Sequence, residues 1–300
     1  MNKIAVIGDP VIDQIYRTSD ELMAGGKMLG QFVGSAAGGT TSNFACAAAK
    51  FGLRPSMIGQ VANGWEGEFH KDAFQDGGVD VGQLRTHSVE RGAHTIIAIG
   101  PDGEKTLIYV PFPKTGKEGV DADTLSEFDA IYLMAVDFAR IAQCAEQLPS
   151  LICVDVDAAA GLDRDSFEQA SRVADFMFIN DVGYRMLFGS EPELGAIEDL
   201  LSGRLQCVVC TGGAGTSFAV ARGQERSIES CQMSALKAEV VDTTGAGDCF
   251  NAAFLARRAA GKSLTDCLKF AMTAGALATE TMGARASIPD KSLVMRRMKD

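Results

Sequence analysis

Short apolar runs recur along the chain and alternate with stretches whose apolar positions repeat at helical spacing. The runs at 4–7, 130–134, 152–154, 176–179, 208–210 and 238–241 are nearly continuous, as expected of strands covered on both faces. Between them, 43–51, 65–76 and 264–281 read as helices. The first stops at Gly52 and the second at Gly77-Gly78, and the third opens on Ser263 with Asp266 three residues on, in the arrangement of a capping box. Strands alternating with helices predict an α/β fold with a doubly wound, mainly parallel sheet.

Two segments break that rhythm. Around 27–34, and across 93–99 and 105–110 joined by the turn Gly100-Pro101-Asp102-Gly103, β-forming residues come in short, partly apolar runs. They predict a small β-sheet inserted as a lid, with Gly34, Gly38 and Gly39 at its root. The expected organisation is a core of 1–13, 38–87 and 112–300 and a lid of 14–37 and 88–111. An edge hairpin without motion is the plainer alternative.

Composition narrows the function. The chain has 300 residues, 46% hydrophobic and 22% charged, enough to bury a large core. Lys and Arg number 28 against 39 Asp and Glu, a net charge of −11, and the charges are scattered. A phosphate-backbone binder needs a basic stripe, so nucleic acid and anionic membrane surfaces are not expected as partners. The apolar stretch at 4–7 ends at Gly8-Asp9 and no run approaches the length of a membrane span, which predicts a cytoplasmic protein. The eight cysteines fall mostly in apolar runs, where a thiol behaves as a small hydrophobe. Cys207 and Cys210 form a C-x-x-C, but Val208-Val209 between them read as buried strand, whereas a redox pair needs an exposed helix start.

The richest stretch is Val241-Asp242-Thr243-Thr244-Gly245-Ala246-Gly247-Asp248, followed by an apolar helix running toward Ala260. Free N–H groups at such a helix start, with the helix dipole behind them, suit a phosphate. Gly245 and Gly247 let that backbone approach a ligand. Asp248 in the first turn could be an ordinary dipole-stabilised carboxylate. Beside a triphosphate it would be repelled unless it served to take a proton from an attacking hydroxyl. Asp13, taken to lie just past the first strand, stands where open α/β sheets bind ligands, and its carboxylate can accept two hydroxyl protons. Clustered phosphate oxygens near Asp248 also call for magnesium as counter-charge.

D-T-T-G-A-G-D before an apolar helix resembles the second signature of the ribokinase-like (PfkB) carbohydrate kinases. Gly38-Gly39-Thr40-Thr41-Ser42-Asn43-Phe44-Ala45 resembles the first signature, Gly8-Asp9-x-x-x-Asp13 the opening turn, and Gly283-Ala284-Arg285-Ala286-Ser287-Ile288-Pro289 the closing loop. The resemblance implies a ribokinase-like fold and ATP-dependent phosphorylation of a sugar hydroxyl. Asp248 would be the general base, and the backbone of Gly245, Ala246, Gly247 and Asp248 an anion hole. Asp13, Gly38, Gly39 and Asn43 would hold the sugar, and Asn180, Thr211, Gly212 and Gly215 the nucleotide. The carbonyls of Asp242 and Thr244, with Thr279, Gly283 and Ser287, would hold a monovalent cation such as K+.

At the N-x-x-E position that begins at Asn180 the chain departs, with Gly183 where relatives carry the Glu that organises magnesium hydration; Asp181 is the candidate substitute. Lys27 in the lid could meet an anionic substituent. Pairing of two copies through the lid strands fits a small sheet with one apolar face.

Other patterns fail on inspection. Gly261-Lys262-Ser263 lacks the first glycine of a phosphate-binding P-loop, since position 256 is Ala256, and no G-x-G-x-x-G follows the first strand. The histidines at 70, 87 and 94 have no metal spacing and read as surface or lid residues. Three readings remain: a kinase for a small sugar, a ketose or sugar derivative; a kinase for an anionic sugar or a nucleoside; and a sugar-binding protein that has lost turnover.

Overall fold

The computed structural model describes residues 1–20, 25–116, 118–158, 162–223 and 227–299. Residues 21–24, within the expected lid, lie outside the described residues. The strands are β1 (Lys3–Ile7), β2 (Val11–Thr18), β3 (Gly30–Gly38), β4 (Arg54–Ala62), β5 (Asp80–His87), β6 (Ala93–Ile99), β7 (Lys105–Val110), β8 (Ala130–Met134), β9 (Leu151–Val156), β10 (Phe176–Asn180), β11 (Cys207–Thr211), β12 (Thr216–Arg222) and β13 (Ile228–Ser234). The helices are α1 (Thr40–Lys50), α2 (Trp65–Asp76), α3 (Ala122–Ser126), α4 (Arg164–Val173), α5 (Asp181–Phe188), α6 (Leu194–Glu198), α7 (Ala246–Ala259), α8 (Leu264–Thr279) and α9 (Lys291–Arg297).

Nine strands make the large sheet, in the order β13-β12-β11-β10-β9-β8-β1-β4-β5. All neighbours from β11 to β5 are parallel, and β12 and β13 close one edge as an antiparallel pair. Alternation within β1 shows why its run is continuously apolar: Ile4 and Val6 join the core on one face, Ala5 and Ile7 that on the other. The first core takes Phe44 of α1, Phe74 of α2, Phe254 of α7 and Phe270 of α8; the second takes Leu125 of α3, Phe167 of α4, Tyr184 of α5 and Ile197 of α6. The fold is the expected doubly wound α/β arrangement.

Strand order reverses at β1, which lies between β4 and β8. A crevice opens above such a switch point, at the carboxyl ends of the strands. The second sheet, in the order β3-β2-β6-β7, stands over that crevice. Its inward face carries Asp13, Thr95, Ile97, Leu107 and Tyr109, which line the crevice; its outer face presents Phe32 packed on Tyr16, and the exposed Ile108.

Several expectations need correction. Residues 238–241 form no strand: Val240 and Val241 are exposed, and the segment is tied down by Val241 N–H donating to the Thr279 carbonyl. Asp13 does not follow β1; it lies inside β2, opposite Thr95 of β6. The segment expected at 27–34 is instead β3, Gly30–Gly38, so Gly34 and Gly38 lie within a strand. Ser263 does cap α8, accepting from Asp266 N–H, but the Asp266 carboxylate pairs with Arg257 instead of closing a box. His70 is not a surface residue: it is 3% exposed, and burial holds its pKa down to about 4. By contrast, Cys207 and Cys210 are, as expected, buried free thiols within β11, pushed up to about 12 by that burial and unsuited to redox exchange.

Candidate active site

Three cavities run end to end along the crevice. The central one, about 340 Å³, is lined by Asp13, Gly39, Asn43, Asp155, Asp157, Asn180, Thr211, Gly245, Gly247 and Asp248 among others. Through Gly39, Thr40, Thr95, Leu107 and Asp157 it opens on a larger chamber of about 930 Å³ under the small sheet. Through Thr211, Thr243 and Gly247 it opens on a mainly apolar chamber of about 610 Å³, walled by Leu236, Val240, Phe250, Met272 and Ala276. Asp13, Asn43 and the glycine-rich turn thus share one cleft.

The turn begins α7. Gly245, at φ 77°, is its left-handed N-cap, and a Cβ there would meet Ala284 Cβ at 2.7 Å, so no other residue fits without moving the closing loop. Among the described residues no side chain caps the first turn of α7, so that helix end is open to an anion from the cleft. Asp248 sits in that turn and accepts from Asn43 Nδ2 at 2.9 Å. Asn43 is oriented from its other side by Arg285, whose Nε donates to Asn43 Oδ1 at 3.3 Å and whose Nη2 donates to the Gly38 carbonyl at 3.2 Å. The guanidinium lies over the Phe74 ring, 4.9 Å from its centroid. Sequence reasoning gave Arg285 no role.

Burial raises the Asp248 pKa well above the usual carboxylate range; the Asn43 bond opposes this, Asp155 and Asp157 add to it, and Arg285 tempers it. Asp155 is pushed up to about 7, chiefly by burial, while it accepts from Tyr132 Oη at 2.6 Å and Asn251 Nδ2 at 3.1 Å. Asp13 is pushed up to about 6 by burial, opposed by its bond to Thr95 and by Arg285. A Cβ on Gly38 would stand 2.0 Å from Asp13 Oδ2, so this glycine leaves room for the carboxylate. Asp155 and Asp157 were missed, although two acids closing a strand at this sheet edge obey the same switch-point logic that singled out Asn180.

On the side of Asn180 the expectations divide. Asn180 caps α5, accepting from Gly183 N–H at 2.6 Å, and donates to Asp157 Oδ1. A Cβ on Gly183 would meet the Val156 carbonyl at 2.7 Å, so there is no space for the missing Glu. Asp181 is no substitute, because it pairs with Arg185 at 3.1 Å and lies off the cleft. Asp157, a hard oxygen donor in the central cavity, is the residue suited to magnesium, with Asn180 beside it. Gly212 and Gly215 build the tight β11–β12 hairpin, Gly215 N–H donating to the Gly212 carbonyl; Thr211 and Gly213 reach the apolar chamber.

Asp242, Thr244, Thr279, Gly283 and Ser287 come together, and the Asp242 carboxylate among them is already fully engaged. Asp242 Oδ1 accepts from Lys105 Nζ at 2.7 Å and from the Thr244 hydroxyl at 2.6 Å, and Oδ2 from Gly283 N–H at 2.9 Å. The Thr279 carbonyl accepts from Val241 N–H and Asp242 N–H, and that of Gly283 from Ser287 N–H.

Lys27 is exposed ahead of β3 and lines none of the three chambers; among the described residues, Lys114 is a lysine that lines the large one. Lys27→Ala is therefore expected to leave acceptor KM within twofold in steady-state assays, while Lys114→Ala raises KM for sugars bearing an anionic group.

Comparison with known proteins agrees with this geometry. Residues 1–291 match the family described as pfkB family carbohydrate kinase. The chain is 27% identical to ribokinase from Arabidopsis thaliana, covering 99% of this chain and 81% of the relative. It is 27% identical to fructokinase from Klebsiella pneumoniae, covering 99% of each. The crystal structure of Arabidopsis thaliana ribokinase complexed with ribose and ATP superposes with a TM-score of 0.83 at 22% identity, over 100% of this chain and 99% of that one.

Proposed function

The chain belongs to the pfkB family of carbohydrate kinases, and from that premise we propose that it transfers the γ-phosphoryl group of ATP to a hydroxyl of a small sugar, with Asp248 as general base. The observation that carries the reading is the single cleft in which Asp248, the uncapped start of α7 and Asp13 meet. The apolar chamber suits an adenine ring, the helix start a phosphate, and the chamber under the small sheet the acceptor. Asp13, Gly39 and Asn43 orient the acceptor so that one hydroxyl faces Asp248. That oxygen attacks the γ-phosphorus, its proton passes to the Asp248 carboxylate, and the bond to the β-phosphate oxygen breaks to release ADP. The N–H groups at the start of α7 stabilise charge on the moving phosphoryl group. Magnesium, held beside Asp157 and Asn180, would supply counter-charge to the phosphate oxygens. Closure of the small sheet over the crevice would exclude water that competes as acceptor.

One observation favours a second reading. The acceptor chamber of about 930 Å³ carries an apolar wall of Leu107, Tyr109, Phe112 and Met134, more than a bare pentose needs, and this suits a nucleoside or another sugar with a flat apolar substituent. ADP release against a panel of ribose, fructose, phosphorylated ketoses and adenosine separates the two. A ketose with the highest kcat/KM supports the first, adenosine the second, and binding of sugar and ATP without turnover overturns both. The outer face of the small sheet, with Phe32 and Ile108 exposed, fits a second copy of the chain. Ile108→Asp is then expected to halve the mass found by sedimentation equilibrium.

A further inference from the structure

We propose that the ammonium of Lys105 is a built-in cation that holds the glycine-rich turn in its phosphate-receiving shape, so that this enzyme needs no monovalent metal ion for turnover. The inference rests on the kinase reading above and deepens it. Lys105 opens β7, on the same strand face as Leu107 and Tyr109, which line the cleft. From there its Nζ crosses to the turn ahead of α7 and donates to Asp242 Oδ1 at 2.7 Å and Thr244 Oγ1 at 2.9 Å, three and one residues short of Gly245. Asp242 also accepts from Thr244 N–H at 3.0 Å and from Gly283 N–H at 2.9 Å. One carboxylate therefore joins the small-sheet hairpin, the turn and the closing loop that Gly245 packs against.

An exposed ion pair would count for little. Here the Asp242 side chain is 6% exposed and that of Lys105 33%, so the carboxylate is shielded from water and the pair is less screened than a surface one. Burial alone would raise the Asp242 pKa, but the bonds from Lys105, Thr244 and Gly283 outweigh it and hold the carboxyl far below its usual range. The single negative charge of the cluster is already met. A metal ion placed among the same oxygens would face an ammonium rather than a free anion. The same contact makes Lys105 a positioning residue that connects the small sheet to the turn.

The test compares KCl, NaCl and choline chloride at equal ionic strength. For the wild type, kcat is expected to agree within twofold across the three salts, and the melting temperature to show no K+-specific rise. Lys105→Ala is expected to lose about tenfold or more in kcat in choline, with ATP KM changing less, to regain part of the loss in K+ or NH4+, and to gain a K+-specific rise in melting temperature. Lys105→Arg should retain most of the activity without added cation. Severalfold activation of the wild type by K+ over choline overturns the proposal, as does full activity of Lys105→Ala in choline or a loss that neither K+ nor NH4+ relieves. The melting comparison needs no turnover, so it decides the point even if the acceptor panel overturns the kinase reading.

Discussion

Asp248→Asn is expected to lower kcat by about a thousandfold or more while ATP affinity changes less than threefold, because the amide keeps the shape of the side chain but cannot take the hydroxyl proton. Steady-state ADP release and equilibrium ATP titration read the two numbers. A kcat within tenfold of wild type would remove Asp248 from the base role. The wild-type pH profile adds a second check. Burial and the neighbouring Asp155 and Asp157 raise the Asp248 pKa, so kcat/KM should rise with pH as this carboxyl ionises, with a limb displaced above the usual carboxylate range. Arg285 opposes that displacement, so Arg285→Gln should move the limb to higher pH as well as lowering kcat.

Asp13→Asn is expected to raise acceptor KM by about a hundredfold or more, leave ATP affinity unchanged and make the protein more stable at neutral pH. The sign follows from the raised pKa. Folded Asp13 titrates at about 6 against 3.8 for the unfolded carboxyl, so above pH 6 the folded state carries a charge it holds poorly. Two pKa units correspond to about 3 kcal/mol of destabilisation, complete above pH 6 and gone below about pH 4, where both states are protonated. Urea midpoints of wild type and Asp13→Asn should therefore differ at pH 8 and converge toward pH 4. Equal midpoints at both pH values, or an unchanged acceptor KM, would contradict this role for Asp13.

How much the sequence revealed depended on how local each feature is. The continuous apolar runs of β1, β8, β9, β10 and β11 announce a sheet covered on both faces, and the glycine-rich turn announces α7. The strand β4 was harder to see because Pro55, Gly59 and Gln60 interrupt its pattern, though Gly59 is required there: a Cβ would stand 2.0 Å from the Gly8 carbonyl. Residues 238–241 carry the composition of a strand, but Ala238 and Val240 face the mainly apolar chamber and Val241 is exposed. Asp13 was placed one strand too early because nothing local marks where the chain leaves the large sheet for the small one. Arg285 and Lys105 were invisible for a plainer reason: their partners lie 242 and 137 residues away, beyond any spacing rule.

The three chambers in line have a practical consequence. On the proposed assignment of the chambers, a molecule that joins an adenosine to a sugar by a chain of phosphates would enter both outer chambers at once. Its second half would then bind at the high local concentration set by the tether, so the two affinities would combine multiplicatively. The best tether length would measure the distance between donor and acceptor in the working enzyme, and a series of such compounds would serve as a molecular ruler for it.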